Sequence, residues 1–91
     1  MQRVMIELFT EQSNNAILRL PEREFPGVLV AGDTLSTLAN SANEVAQMAM
    51  GSSSSELAAE AAHLAERLSD MLERYEAALG ANGIRLPYSK E

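Results

Sequence analysis

Hydrophobic positions change their period twice along this chain, and each change marks a new element. Val4, Ile6 and Leu8 alternate with Met5, Glu7 and Phe9, the period of two that belongs to a strand with one face more buried than the other. Polar Glu11-Gln12-Ser13-Asn14-Asn15 follows, and asparagine tolerates the left-handed backbone that turns demand. Ala16-Ile17-Leu18-Arg19-Leu20 then reads as a second strand, antiparallel to the first, with Leu18 and Leu20 on the core face and Arg19 toward solvent. Pro21 stops it, because proline cannot donate to a ladder. Residues Pro21 to Pro26 form a polar excursion with Phe25 as its one large apolar anchor. After Gly27, the run Val28-Leu29-Val30-Ala31 is too short for a helix and rich in β-branching, which predicts a third and more central strand. Gly32 allows a sharp turn, and Asp33 is placed to cap a helix from Thr34 onward by accepting a backbone N–H.

From Thr34 the period becomes helical. Leu35, Leu38, Ala39, Ala42, Val45, Ala46 and Ala49 fall on one stripe, and Gly51 terminates it. Ser52 to Ser55 reads as a linker whose end starts the next helix, since Ser53 and Glu56 have capping-box spacing. The second helix runs from near Ser54 to Leu79, with Leu57, Ala61, Leu64, Leu68, Met71, Tyr75 and Ala78 at alternating steps of four and three. Leu72 and Leu79 widen that stripe, and Gly80 and Gly83 end it.

The expected class is α+β in the order βββαα. A three-stranded antiparallel sheet is backed by the first helix, and a long amphipathic helix follows at the C-terminal end. One domain accommodates this: a core over residues 1–51, the linker 52–55, the helix 56–80 and a tail 81–91. A chain of 91 residues builds only a thin core, which makes self-association a natural supplement. The apolar stripe of the second helix is wider than one neighbour needs, which predicts a homodimer with Leu64, Leu68, Leu72 and Tyr75 at its interface.

Composition adjusts this picture in two ways. The apolar fraction is 46%, enough for a folded chain, but much of it is alanine and Trp is absent, so helices should pack closely through small residues. The formal charge is −6, and no Lys or Arg occurs between Arg23 and Arg67. Nucleic-acid binding needs clustered cations to displace counterions from phosphates, so no nucleic-acid role is expected. A basic protein would be attracted instead. The carboxylate at Glu7 comes too early for a signal peptide and no apolar run spans a bilayer. The expected residence is therefore cytoplasmic, with no membrane partner.

Candidate chemistry is sparse. There is no cysteine, which removes disulfides and thiolate metal sites. Glu60 and His63 have the Glu-x-x-His spacing of di-iron bundles, but Glu44 is the one carboxylate the first helix could add inside, and His63 falls on the solvent side of the stripe. The serines have no oriented base and no nucleophile-elbow pattern, and Gly27 and Gly32 are not spaced as a phosphate loop. The acids of the second helix read as a solvated face, with Asp70 and Arg74 forming an i,i+4 pair. No catalytic residue, metal site or cofactor is expected, and the chain is not expected to be an enzyme.

Residues Ala16 to Met50 resemble the core of the HicB-type antitoxins of bacterial toxin–antitoxin pairs. The likeness rests on Leu20-Pro21, on Pro26-Gly27 after Phe25, on Val28-Leu29-Val30, and on Gly32-Asp33-Thr34-Leu35 opening a helix of Leu and Ala. Pro26, Gly27, Gly32, Asp33 and Thr34 form its most specific part. The resemblance implies a reduced ribonuclease-H-like fold without nuclease activity, which binds a small basic RNA-cleaving toxin and blocks its active site. This chain departs from the family in a longer turn before Pro26-Gly27. Its C-terminal half is an acidic, Ala-rich helix where many members carry a DNA-binding segment. The expected function is thus a small acidic antitoxin-like module that neutralises a basic partner by occlusion. The competing expectation is a structural, oligomerising or immunity protein whose second helix is the working surface.

Overall fold

The computed structural model describes residues 1–90 and divides into two units, Met1–Ala31 and Gly32–Glu91. The first is a three-stranded antiparallel sheet and the second a helical hairpin with a returning tail, so the class is α+β, as the change of period predicts. The boundary at Ala31 differs from the single 1–51 core expected above, because α1 belongs with α2.

In the first unit, β1 (Glu7–Leu8), β2 (Ile17–Arg19) and β3 (Gly27–Val28) lie in the order β1-β2-β3. The register pairs Glu7 with Arg19, Leu8 with Leu18, Ile17 with Val28 and Leu18 with Gly27. β2 is therefore the central strand, not the run after Gly27. Every strand is shorter than its apolar pattern. Alternation records which way side chains point, whereas a ladder also needs a paired neighbour, and here pairing ends after two or three residues. The β1–β2 turn is closed by Phe9 N–H to Ile17 carbonyl (2.9 Å) and Ile17 N–H to the Thr10 hydroxyl (3.0 Å). Glu22 has a φ of +64°, and Arg23 N–H reaches Leu20 carbonyl at 3.3 Å, which makes Leu20-Pro21-Glu22-Arg23 a type II-like turn with its left-handed position filled by a non-glycine.

Arg19 does more than face solvent. Its Nε donates to Glu7 Oε1 at 2.7 Å, a terminal nitrogen donates to Glu24 carbonyl at 3.1 Å, and the guanidinium sits 5.5 Å from the centre of the Phe9 ring. One side chain thus ties β1, β2 and the 21–26 excursion together. Phe25 does not anchor that excursion: it is 77% exposed. Ala16 is the one buried residue of the sheet unit.

In the second unit, α1 (Gly32–Met50) and α2 (Ser55–Ala81) form an antiparallel pair. Gly32, Leu35, Ala39, Ala42, Ala46 and Ala49 repeat at steps of three and four on α1. Ala58, Ala61, Ala65, Leu68, Leu72, Tyr75 and Leu79 do the same on α2, and all of these are buried or half-buried. This is a heptad seam with these residues at a and d. The buried apolar residues of the unit are Leu35 and five alanines, so the helices approach closely, as the alanine content predicts. The α1 stripe that the sequence assigned to the sheet is spent on α2.

The helix ends also differ in detail. α1 begins at Gly32, two residues early, and Asp33 lies inside its first turn, where its Oδ1 accepts from Thr34 N–H at 2.9 Å. It is not an N-cap, but a carboxylate there still complements the helix dipole. Ser54 caps α2, its Oγ accepting from Leu57 N–H at 3.2 Å, in place of Ser53. α2 passes through Gly80 and stops in a Schellman motif. Ile84 N–H meets Leu79 carbonyl (2.9 Å), Gly83 N–H meets Gly80 carbonyl (3.4 Å), and Gly83 takes the left-handed φ of +67°.

Candidate functional site

The residues of the HicB-like motif fall on both sides of the unit boundary. Pro26 and Gly27 are exposed at the start of β3, and a Cβ at Gly27 would meet nothing within 4 Å. Gly32, Asp33 and Thr34 open α1. Gly32 is needed for packing more than for a turn: a Cβ built there overlaps the Tyr75 ring. The motif is thus two local solutions joined in sequence, a strand start and a helix start that admits an aromatic ring.

Ile6, Leu8, Ala16, Leu18 and Leu29 line a shallow apolar hollow on one face of the sheet unit, with Gln12, Ser13 and Asn14 at its mouth. Ile6 and Leu8 are 43% and 40% exposed. The period-two pattern places Ile6, Leu8 and Leu18 on this face, as observed, but Val4 and Leu20, expected beside them, are exposed and outside the hollow, and the face itself is open to a large extent. Nothing in the hollow titrates.

The helical hairpin has three distinct long faces, and heptad geometry explains them. In an antiparallel pair the e positions of both helices flank one side of the seam and the g positions flank the other. The e side is polar: Ser36 and Asn43 on α1, Ser69 and Glu76 on α2, with Asn43 Nδ2 donating to Ser69 Oγ at 3.3 Å. The tail closes on this side. Tyr88 donates its hydroxyl hydrogen to Glu76 Oε2 at 2.7 Å, and Lys90 Nζ donates to Oε1 at 3.0 Å. Glu76, Tyr88 and Lys90 line a groove with Ser36, Asn40 and Leu72.

The tail bonds set opposite pH limits. The Tyr88 hydrogen bond, then that of Lys90, holds the Glu76 carboxyl below its usual range. Burial, and then the Glu76 carboxylate, pushes the Tyr88 phenol up to about 12 from 10.0. Tail attachment is therefore fully stabilising below the ordinary phenol value and is lost as pH rises through about 12. At the acid end the Glu76 contribution is present above the usual carboxylate range and is lost as pH falls through the depressed value. Phenolate absorbance of Tyr75→Phe, in which Tyr88 is the sole phenol, should show a midpoint near 12. Glu76→Gln should lower that midpoint. A midpoint at the ordinary value in the Tyr75→Phe chain with Glu76 intact would mean the tail is not docked.

The g side is apolar: Leu38 and Val45 on α1, Leu57, Leu64 and Met71 on α2, which are 45%, 53%, 52%, 56% and 55% exposed. The sequence-derived interface therefore divides. Leu64 stands on this open face, while Leu68, Leu72 and Tyr75 are in the seam with α1 and serve the fold of one chain. The open row on α2 is spaced by seven and belongs to the stripe that the alternating steps suggest; the seam takes Ala58, Ala65, Leu72 and Leu79, one position further along, in its place.

The third face, outward on α2, is acidic. Glu56, Glu66, Asp70 and Glu73 are exposed at b and f positions, together with His63. The expected Asp70–Arg74 pair does not form: the ion pairs among the described residues are Arg19–Glu7 and Lys90–Glu76. Glu60 and His63 gather no third ligand, and no group of three metal-ligating side chains occurs among the described residues. No helix there is long and apolar enough to cross a membrane. What these surfaces can do is bind: an apolar hollow, an apolar helical face and a row of carboxylates.

No curated protein and no solved structure matches the chain. A model described as a family of unknown function, DUF6959, matches residues 1–88, and the chain belongs to that family.

Proposed function

We propose that this chain is a non-catalytic protein-binding module that takes a small basic protein on the acidic outer face of α2 and occludes it, in the manner of a cytoplasmic antitoxin. The observation that carries this reading is the segregation of charge. Glu56, Glu66, Asp70 and Glu73 are exposed together on one face, and α1 contributes Asp33 and Glu44 but no base. A row of like charge such as Glu66, Asp70 and Glu73 raises the local concentration of an opposite partner and speeds its docking. The resemblance of Ala16–Met50 to HicB-type antitoxins supports the same class of partner.

The test starts from the reading frame next to this gene. Its product should be small and basic, and co-expression should give a complex with this chain. The complex should weaken with added salt, and Glu66→Lys with Asp70→Lys and Glu73→Lys together should weaken it by roughly tenfold or more. A complex indifferent to salt and to the triple reversal would remove α2 from the interface. A neighbouring product that is acidic, or that does not bind, would end the reading.

A further inference from the structure

The apolar g side of the helical hairpin carries residues that neither the fold of one chain nor the acidic face uses. We infer that it docks against the same face of a second copy of this chain, stacking two hairpins into a four-helix bundle with α2 of each lying over α1 of the other.

Three observations select a second copy. The first is level. Asn43 lies beside Ser69, and Ser36 and Asn40 share a groove with Glu76 and Leu72, so positions on α1 and α2 at one height sum to about 112 in a hairpin of this register. Val45 is therefore close to the height of Leu64, and Leu38 close to that of Met71. A two-fold axis parallel to the helices preserves height, so Leu64 and Met71 of α2 meet Val45 and Leu38 of the partner's α1, while Leu57 reaches past the end of that helix.

Charge is the second. The rim of the α2 row is formed by the c positions Glu60, Arg67 and Arg74, and the last two are the only Lys or Arg residues of either helix. A basic partner would meet like charge at this edge. The α1 of a second copy brings acids alone, with Glu44 near the height of Arg67.

Area is the third. Half-exposed Leu, Val and Met side chains leave on the order of 100 Å² each, so this face offers about 500–600 Å² per chain, and two copies would bury about 1,000–1,200 Å², at the threshold for a specific interface. Met48, 78% exposed at the adjoining c position of α1, extends it.

Sedimentation of the full chain should show a dimer at micromolar concentrations. Leu64→Glu should shift it to monomer, with helical circular dichroism unchanged because Leu64 is outside the seam. Since the chain has no cysteine, mixing Val45→Cys with Leu64→Cys chains tests the contact directly. Oxidation should give a disulfide-linked heterodimer, and a Glu66→Cys chain mixed with Val45→Cys should not. A wild-type monomer throughout that range overturns the inference and leaves the face to a different partner. So does a dimer that survives Leu64→Glu, or cross-linking as efficient through Glu66→Cys as through Leu64→Cys.

Discussion

Ala39→Leu is expected to destabilise the helical hairpin by about 1–3 kcal/mol, while Ala39→Ser costs less than about 1 kcal/mol. Ala39 is 1% exposed, in the middle of a seam that also buries Ala42, Ala49, Ala61 and Ala65. Leucine brings three more carbons. Moving them from water into a site made to measure would gain about 2 kcal/mol at about 0.8 per carbon. That gain is available only if the helices separate, and a helix moves as a body. Separation at Ala39 would open the contacts of Leu35 and Ala42 one turn to each side, which exceeds the gain. The leucine is then forced into a site without room, which is the overpacking case. Serine is close to alanine in size, and its hydroxyl can bond a carbonyl of the preceding turn, so it probes polarity without volume. Urea unfolding followed by circular dichroism reads both variants. A raised midpoint for Ala39→Leu would show a loose seam with space for larger side chains.

The same alanines explain what the sequence concealed. Element order was legible because the change from period two to helical period depends on neighbouring residues alone. Helix existence, the approximate ends and the hairpin turn at Gly51–Ser54 follow from that. The rotation of α2 was not legible. Its heptad contains two candidate rows, Leu57-Leu64-Met71 and Ala58-Ala65-Leu72, each combined with Ala61-Leu68-Tyr75. Transfer free energy favours burying the first, since leucine gains more than alanine. Close approach to an alanine-faced α1 favours the second, and that is the row in the seam. A property of the pair decides, and no property of α2 alone reveals it. One signal was present nevertheless: α1 places alanine at four of its six seam positions, and a helix so faced fits small partners best.

The sheet unit shows the same limit from the other side. Val28, Leu29 and Val30 have strand chemistry, yet they are 60%, 45% and 38% exposed, and beyond Val28 β3 adds a single backbone bond to its neighbour, Leu29 N–H to the Ala16 carbonyl at 2.9 Å. β-Branching states a preference for extended backbone, but burial depends on what covers it. Asp33 misses the cap for a related reason: it is the last polar residue before the helical period begins, but Gly32 already belongs to the helix, where its lack of a side chain matters to Tyr75.

That contact yields the second large expectation, a reversal of sign. In the parent chain Gly32→Ala should destabilise by about 1–3 kcal/mol, because the new Cβ overlaps the Tyr75 ring and the ring must leave its seat. Tyr75→Ala alone should cost about 2–4 kcal/mol, below the usual range for a fully buried aromatic because this ring is half-buried. With the ring removed, the same Gly32→Ala change should stabilise by about 0.5–1 kcal/mol, as alanine has the better helix propensity and restricts the unfolded chain. The two substitutions therefore couple by about 2 kcal/mol or more, at the upper end of what touching residues show. Four urea titrations complete the cycle. If Gly32→Ala changes stability equally in both backgrounds, Tyr75 swings aside without loss, and glycine stands at the start of α1 for a reason other than the ring.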